Sequence, residues 1–217
     1  MFTCNPFCSD GFAKQHGNER KTELSGDNCG FLYYTLKDGV LYSKDETKLI
    51  YYPSCKRGRC VIPDGVTEIA DAAFAHCNRM DVLMIPHSVI RIGDDAFWEC
   101  YGFTNLVIPD GVISIGERAF FECSSLKSVS LPDSLTSIGD SAFWDCKSLP
   151  NIIIPKSVTS IGKEAFAGCE ALTSATVMNE QCIIGHDPFP CSLIRGYKDS
   201  TAESYASAWG KEFEALS

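Results

Sequence analysis

The sequence lacks an apolar run of 18 residues, so we expect no transmembrane helix. Basic residues are also scarce, because 19 Lys and Arg stand against 28 Asp and Glu and give a formal net charge of −9. Nucleic-acid binding needs a basic surface that neutralises phosphates, so this deficit argues against DNA or RNA as the main partner. The first residues, MFTCNPFCSDGFAKQHGNERK, lack the basic segment and apolar core of a secretory signal.

The motifs of common catalytic and metal sites are missing too. The four histidines are dispersed, and the sequence contains no G-x-S-x-G, no phosphate-binding glycine loop and no H-E-x-x-H. Cys4 and Cys8 lack a second pair at zinc-site spacing. His186 and Asp187 are adjacent but have no nearby nucleophile with a third orienting group. We therefore predict a non-catalytic protein without a metal or another cofactor.

The sequence contains one repeat in five copies between Cys60 and Val177. The five copies read IPDGVTEIADAAFAHC, IPHSVIRIGDDAFWEC, IPDGVISIGERAFFEC, LPDSLTSIGDSAFWDC and IPKSVTSIGKEAFAGC. Proline, phenylalanine and cysteine each recur in these copies at a constant step of 23 residues. A fixed period of this length predicts a solenoid, in which each repeat buries its apolar side against its neighbours.

Each repeat predicts one coil with two extended segments. Apolar residues follow the cysteine with the spacing L-x-x-L-x-L, as at Leu126, Val129 and Leu131. The last two alternate with period two, which predicts a short strand that ends at the following proline. The second segment, V-T-S-I-G, ends in a glycine that we expect to bend with positive φ. The Ala-Phe pair that follows predicts a short helical turn, which Asp71, Asp94 and Asp140 would cap.

This pattern resembles the BspA-type leucine-rich repeat family, whose repeat is close to LxxLxIPxxVTxIGxxAFxxC. The resemblance implies an α/β repeat fold, a right-handed leucine-rich-repeat solenoid of short parallel strands and short helical turns. Ordinary leucine-rich repeats place an inward asparagine after the strand. The corresponding positions here are Ser88, Gly111, Ser134 and Ser157, so we expect no asparagine ladder.

The chain divides into four predicted segments. Residues 1–30 read as a polar arm, and residues 31–62 as a hairpin-type capping segment with strands at Val40–Ser43 and Lys48–Tyr52. Residues 63–177 are the five regular repeats. Residues 178–217 contain a degenerate sixth repeat and a helical C-terminal cap, which begins at a capping box of Ser200 and Glu203.

Twelve cysteines are present, and five form a ladder at the 23-residue step: Cys77, Cys100, Cys123, Cys146 and Cys169. Equivalent residues on stacked strands lie about 4.8 Å apart with parallel side chains. A disulfide needs Cβ atoms about 3.8 Å apart that point toward each other. We therefore predict five buried free thiols. The redox state of Cys4, Cys8, Cys29, Cys55, Cys182 and Cys191 stays open.

Two rows of residues are candidates for binding. The outward strand positions form the first row, which is nearly uncharged and mixes aliphatic and small polar side chains: Met84, Val107, Ser130, Ile153, Asn105 and Asn151. Uncharged mixtures of this kind suit a protein-binding surface, although strand propensity alone would select similar residues. The second row follows the phenylalanines and contains Trp98, Phe121 and Trp144. These rings suit an interaction hot spot, or they seal the corner of the solenoid.

The prediction for function is a non-catalytic module that recognises a protein or a glycan through the extended solenoid surface. The family resemblance implies adhesion and a cell-surface or secreted location. The alternative is an intracellular scaffold or a self-assembling structural protein, which the missing signal and the abundant thiols favour. An enzyme is a remote third alternative.

Overall fold

The structure is a computed structural model that describes residues 33–217. The predicted polar arm of residues 1–30, with Cys4, Cys8 and Cys29, lies outside the described residues. The described chain winds into a solenoid of parallel strands with about seven coils, which confirms this part of the predicted fold. Each coil contributes a strand to a front sheet and a shorter strand to a back sheet.

The front sheet contains the strands that follow the cysteine of each repeat. They are β4 Gly58–Val61, β6 Met80–Met84, β8 Asn105–Val107, β10 Ser128–Ser130, β12 Asn151–Ile154, β14 Ser174–Val177, β16 Leu193–Gly196 and β17 Glu212–Ala215. They pair in parallel as three groups, β4–β6, β8–β10 and β12–β14–β16–β17. The sequence prediction did not include β17, which continues the sheet past the last repeat.

The back sheet has nine strands in the described chain. They are β1 Tyr34–Lys37, β2 Val40–Ser43, β3 Lys48–Tyr51, β5 Glu68–Ile69, β7 Arg91–Ile92, β9 Ser114–Ile115, β11 Ser137–Ile138, β13 Ser160–Ile161 and β15 Ile183–Ile184. From β5 to β15 the paired residues are 23 apart, as in Ile115, Ile138 and Ile161. The 23-residue period of the sequence therefore equals the separation between paired residues in this sheet.

An aromatic stack runs through the centre of the solenoid. Its rings are Tyr52, Phe74, Phe97, Phe120, Phe143, Phe166 and Phe189, with centroids 4.8 to 5.5 Å apart. The six phenylalanines are fully buried. Offset stacking of this kind adds to the free energy gained by burial of the rings. At the C-terminal end Tyr205 meets Phe189 edge-on, with a centroid distance of 5.9 Å.

The corners that carry the phenylalanines are not the predicted helical turns. Positive φ at two residues per corner, such as Asp95 (54°) and Glu99 (53°), interrupts the helical path. Amides of that corner donate to carbonyls of the next coil, namely Asp95 to Glu117, Phe97 to Ala119 and Glu99 to Phe121. Amides between them donate within the corner to the carbonyl three residues earlier, as Trp98 does to Asp95 at 2.9 Å, so bonds within the corner alternate with bonds between coils. Within residues 33–217 the single helix is α1, Thr201–Ala208.

The glycine that ends each V-T-S-I-G segment also has a different role from the predicted one. Gly93, Gly116, Gly139 and Gly162 do not have positive φ. They are required because successive coils approach closely at this point. A Cβ atom on Gly139 would lie 2.6 Å from the amide nitrogen of Glu117 and from the carbonyl carbon of Gly116. Only a residue without a side chain fits between these backbones.

Polar side chains join neighbouring coils at the same corners. Asp71, Asp94 and Asp140 do not cap helices, since each carboxylate accepts a hydrogen bond from the amide 23 residues ahead, at 2.7 to 2.9 Å. Two of the serines that stand in place of an asparagine ladder, Ser88 and Ser134, also join neighbouring coils. The Ser88 hydroxyl donates to the Val66 carbonyl at 2.8 Å and accepts from the Gly65 amide at 3.2 Å.

Both ends of the described solenoid carry irregular elements. At the N-terminal end, β1, β2 and β3 pair antiparallel, and β3 joins the first repeat strand in parallel. At the C-terminal end, the Ser200 hydroxyl accepts from the Glu203 amide at 3.3 Å and so caps α1. Glu203 in turn accepts from the Asp199 amide at 2.6 Å, rather than from Ser200 as in a regular capping box. Gly210, with φ of 63°, follows the helix.

Candidate binding surface

The outward face of the front sheet exposes a row of aliphatic side chains. Period-two alternation buries Leu83, Leu106 and Ile152 and turns their neighbours to solvent. We define the aliphatic row as Val61, Met84, Val107 and Ile153, which are 57%, 42%, 65% and 60% exposed, with Ser130 between the last two. Sequence reasoning missed Val61, although its position 23 residues before Met84 marks it as part of the row.

A polar row lies beside the aliphatic row, two residues earlier on each strand. We define it as Asn105, Ser128 and Asn151, all of which are exposed. The Ser128 hydroxyl donates to Asn105 Oδ1 at 2.7 Å. Ser174 continues this row on β14 but is buried, since Arg195 lies on the next strand and donates to its hydroxyl at 3.1 Å. The polar row therefore presents amide and hydroxyl groups in a line parallel to the aliphatic row.

A groove of about 500 Å³ follows the ends of the front strands. One side is formed by Met84, Val107 and Ser130 from three successive coils. The opposite rim is formed by the residues after the repeat prolines, His87, Asp110 and Asp133. Pro109 and Pro132 lie between the two sides and are buried. The structure thus joins the predicted outward row to a rim of ionisable groups, which sequence reasoning did not place beside it.

The aromatic row lies at the corners and not on the front sheet. Trp98, Phe121 and Trp144 are half-buried. Phe121 and Trp144 stack with their centroids 4.6 Å apart and their planes 10° apart, and Trp98 lies 4.8 Å from the His76 ring. His76 also contacts Glu99, with 3.2 Å between Nδ1 and a carboxylate oxygen. Much of each ring is used in contacts within the solenoid, and the remaining area is open to solvent.

The cysteine ladder contains buried free thiols, as the sequence predicts. Four ladder thiols donate to the carbonyl of the phenylalanine 26 residues earlier, as in Cys123 to Phe97 at 3.2 Å, and the Cys77 thiol donates to the Tyr52 carbonyl at 3.6 Å. Burial raises the pKa of the Cys123 and Cys146 thiols well above the ordinary value, so the reactive thiolate form is disfavoured. Cys60, Cys182 and Cys191 are also free and buried, and Cys55 is disulfide-bonded.

No metal-type cluster is found in the described part of the chain, where three or more His, Cys, Asp or Glu side chains never converge. His186 lies edge-on to Trp209 with a centroid distance of 5.0 Å. The Lys56 ammonium lies 5.4 Å from the centroid of the Tyr52 ring. Across residues 33–217, no helix has the length and apolar character needed to cross a membrane.

The repeats of this chain match a known protein family. A family model described as "BspA type Leucine rich repeat region" matches residues 50–173 and 91–198 in six copies. The match covers more than half of the chain and reaches past the five regular repeats into the degenerate sixth. No functionally curated protein matches the sequence.

Solved structures with similar folds include three bacterial proteins. The leucine-rich repeat protein TpLRR of T. pallidum is 26% identical, with a TM-score of 0.47, over 78% of this chain and 70% of that chain. The pneumococcal vaccine antigen PcpA is 22% identical, with a TM-score of 0.52, over 85% of this chain and 48% of that chain. A leucine-rich cell surface protein of Faecalibacterium prausnitzii is 26% identical, with a TM-score of 0.49, over 85% and 40%. The chain thus spans half or less of the last two proteins.

Proposed function

Because the chain belongs to the BspA-type leucine-rich repeat family, we propose that it is a non-catalytic module that binds a protein partner on the front sheet. The observation that supports this proposal is the exposure of the aliphatic row, whose four members lie on four coils along the front face. Contiguous exposed apolar surface is uncommon on soluble monomers and is typical of binding sites. The adjacent polar row offers hydrogen bonds of the kind that surround such patches.

The site comprises the predicted outward residues together with Val61. Met84, Val107 and Ile153 supply the apolar contact area, with Ser130 between them. Asn105 and Asn151 would hydrogen-bond to the partner. We assign Trp98, Phe121 and Trp144 to a secondary role at the corner, because their rings are largely engaged within the solenoid. A glycan is the less favoured ligand, since the front sheet carries no aromatic side chain on either row.

We further propose that the coils wind with the right-handed sense usual for connections between parallel strands. Adhesion at the cell surface is the biological role that the family resemblance implies, and we adopt it as the proposal. The disulfide at Cys55 supports an oxidising compartment. The eight buried free thiols support the competing proposal, an intracellular scaffold, since thiols are stable in a reducing compartment.

Adherence assays with matched variants test the proposed function. Beads that carry the full chain would be exposed to purified extracellular-matrix proteins and to intact cells. The V107K/I153K variant places two charges on the aliphatic row. The control, I113K/I183K, places two charges on exposed aliphatic residues away from the front sheet: Ile183 in β15, which is 72% exposed, and Ile113 directly before β9, which is 46% exposed.

The wild type and the control should adhere equally, and V107K/I153K should lose adherence by about tenfold or more, since buried unpaired lysines are costly. Equal adherence of the wild type and V107K/I153K would reject the front sheet as the binding surface. If the wild type, the control and V107K/I153K all failed to adhere, the proposed role in adhesion would be rejected.

A further inference from the structure

We propose that the groove beside the aliphatic row binds an extended polypeptide segment in which a lysine or arginine lies next to an aliphatic residue. The inference rests on the proposed function and specifies the chemistry of the partner. It follows from three features of the groove: an apolar side, an acidic rim that has no ion pair in the described chain, and a polar row that can bind a peptide backbone.

The apolar side of the groove would receive the aliphatic side chain. Met84 and Val107 lie on neighbouring coils and are 42% and 65% exposed. Ile85 and Leu131 are partly buried and extend the apolar lining toward the turn. Removal of this aliphatic surface from water by the partner would favour binding. The groove volume of about 500 Å³ suits a few side chains rather than a folded domain.

The acidic rim would receive the basic side chain. Asp110 and Asp133 occupy the same place on neighbouring coils and are both exposed. Neither carboxylate forms an ion pair with any residue of the 33–217 region, whereas many other acids of the solenoid do, such as Asp95 with Arg118. Like charges on neighbouring coils repel each other, so a cation placed between them is favoured.

The neighbouring groups on the rim limit the acidic part to these two coils. His87 occupies the equivalent place one coil before Asp110, and its Nδ1 lies 3.3 Å from the Asp110 carbonyl oxygen. Lys156 occupies it one coil after Asp133. Asp64 holds this place on the coil of Val61 but has His87 on the next coil, so two neighbouring acids occur in the regular repeats only at Asp110 and Asp133, and the basic side chain would be bound there.

The polar row favours a polypeptide over other cationic partners. Asn105 and Ser128 lie on the far side of the aliphatic row from the acidic rim. Their amide and hydroxyl groups can donate to and accept from the backbone of a chain lying over the aliphatic row. A polyamine or a cationic glycan would use the acidic rim but would leave the aliphatic row unburied.

Binding of short synthetic peptides to the full chain tests this inference. The first peptide alternates lysine with valine, the second replaces lysine with glutamate, and the third replaces valine with serine. Fluorescence anisotropy at low salt would give the three dissociation constants. The lysine–valine peptide should bind most tightly, and its affinity should fall as salt is added, since surface ion pairs are screened.

Two variants and one control define the outcome. D110N/D133N should weaken binding of the lysine–valine peptide about fivefold, the effect of two surface ion pairs. V107S should weaken it by a similar factor through lost apolar contact. The control, E117Q/E164Q, removes two negative charges outside the groove and should bind like the wild type.

Equal binding of the lysine and glutamate peptides, or no effect of D110N/D133N, would overturn the inference about charge. Equal binding of the valine and serine peptides would overturn the inference that an aliphatic residue is recognised. These outcomes are separate from a failure of the proposed function, in which V107K/I153K adheres as well as the wild type.

Discussion

The thiol of Cys100 lies 2.9 Å from the carbonyl oxygen of Phe74, which belongs to the previous coil. The same relationship joins Cys123 to Phe97 and recurs along the ladder at distances up to 3.6 Å. Each ladder cysteine therefore fills a small buried space and supplies a hydrogen-bond donor to a carbonyl inside the solenoid. The phenylalanine carbonyls also accept a backbone amide, as Phe97 does from Cys100 at 3.2 Å, so the thiol is a second and weaker donor.

Cys123→Ala should destabilise the protein by about 2 kcal/mol, because it removes both a buried sulfur and the donor to Phe97. The control is Cys182→Ala, because Cys182 is also inaccessible to solvent but its thiol donates to the carbonyl of the adjacent residue, Ile183, at 3.8 Å, and not to another coil. Urea unfolding followed by circular dichroism measures both changes. Equal losses for the two variants would show that the bond between coils contributes nothing measurable.

Stability should fall in alkaline solution. Burial raises the pKa of the Cys60 and Cys182 thiols to about 11. The unfolded chain releases these protons near pH 8.5, so between that pH and about 11 the folded state binds more protons. The free energy of unfolding then decreases as pH rises, by up to about 1.4 kcal/mol per pH unit for each thiol.

Urea unfolding under reducing conditions at about pH 7.5, 9 and 10 measures how the free energy of unfolding changes with pH. The C60A/C182A variant should lose less stability over this interval than the wild type. Parallel pH profiles for the two proteins would contradict the assignment of the alkaline loss to these thiols.

Gly139→Ala should destabilise the solenoid by more than about 3 kcal/mol, because the new methyl group would lie 2.6 Å from backbone atoms that cannot move independently. Gly210→Ala is the control for backbone strain alone. Gly210 has φ of 63°, and no atom lies within 4 Å of the added Cβ, so the expected loss is about 1 kcal/mol. Similar melting temperatures for the two variants would contradict the role of close approach.

The two tryptophans of the corner should differ when each is replaced by alanine. Trp144 stacks on Phe121 at 4.6 Å, so Trp144→Ala should destabilise by about 2 kcal/mol and lower the melting temperature by several degrees. Trp98 contacts the smaller His76 ring, so Trp98→Ala should lower the free energy of unfolding by less than Trp144→Ala does. If W98A/W144A melts like the wild type but loses adherence, the aromatic row is a binding surface and not a packing element.

A thiol titration of the unfolded, unreduced protein should detect at least the five ladder cysteines as free. These thiols are held apart by the strand spacing, so they cannot form disulfides with one another without distortion of the coils. Fewer than five free thiols would reject this description of the ladder.

The solenoid could be predicted from the sequence because the repeat length of 23 residues equals the separation between paired residues in the back sheet. Ile115, Ile138 and Ile161 align in the back sheet at the step read from the repeats. The predicted helical turns at the corners were not confirmed. The Ala-Phe pair is compatible with a helix when one repeat is considered alone, but alternate amides of each corner bond to the next coil, and Asp95 and Glu99 have positive φ.

The exposed rows of the front sheet followed from period-two alternation, which places Met84 and Val107 outward. The groove could not be derived in the same way. Its second side comes from Asp110 and Asp133, which lie in turns, and no periodicity rule states how a turn is oriented relative to the preceding strand. β17 was missed for a similar reason, because it pairs with β16 outside the repeat pattern.

The carboxylate of Asp71 accepts the Asp94 amide, and the carboxylate of Asp94 accepts the Glu117 amide. Coils with aspartate at this position thus offer their successors the same acceptor, and the backbone bonds between coils recur at the same 23-residue step. If unequal recombination removed or added one repeat of 23 codons, the two coils brought together could form the same contacts, and no compensating mutation would be needed. The length of such a protein, and with it the reach of its surface, is free to vary between relatives while the structure of every coil stays the same.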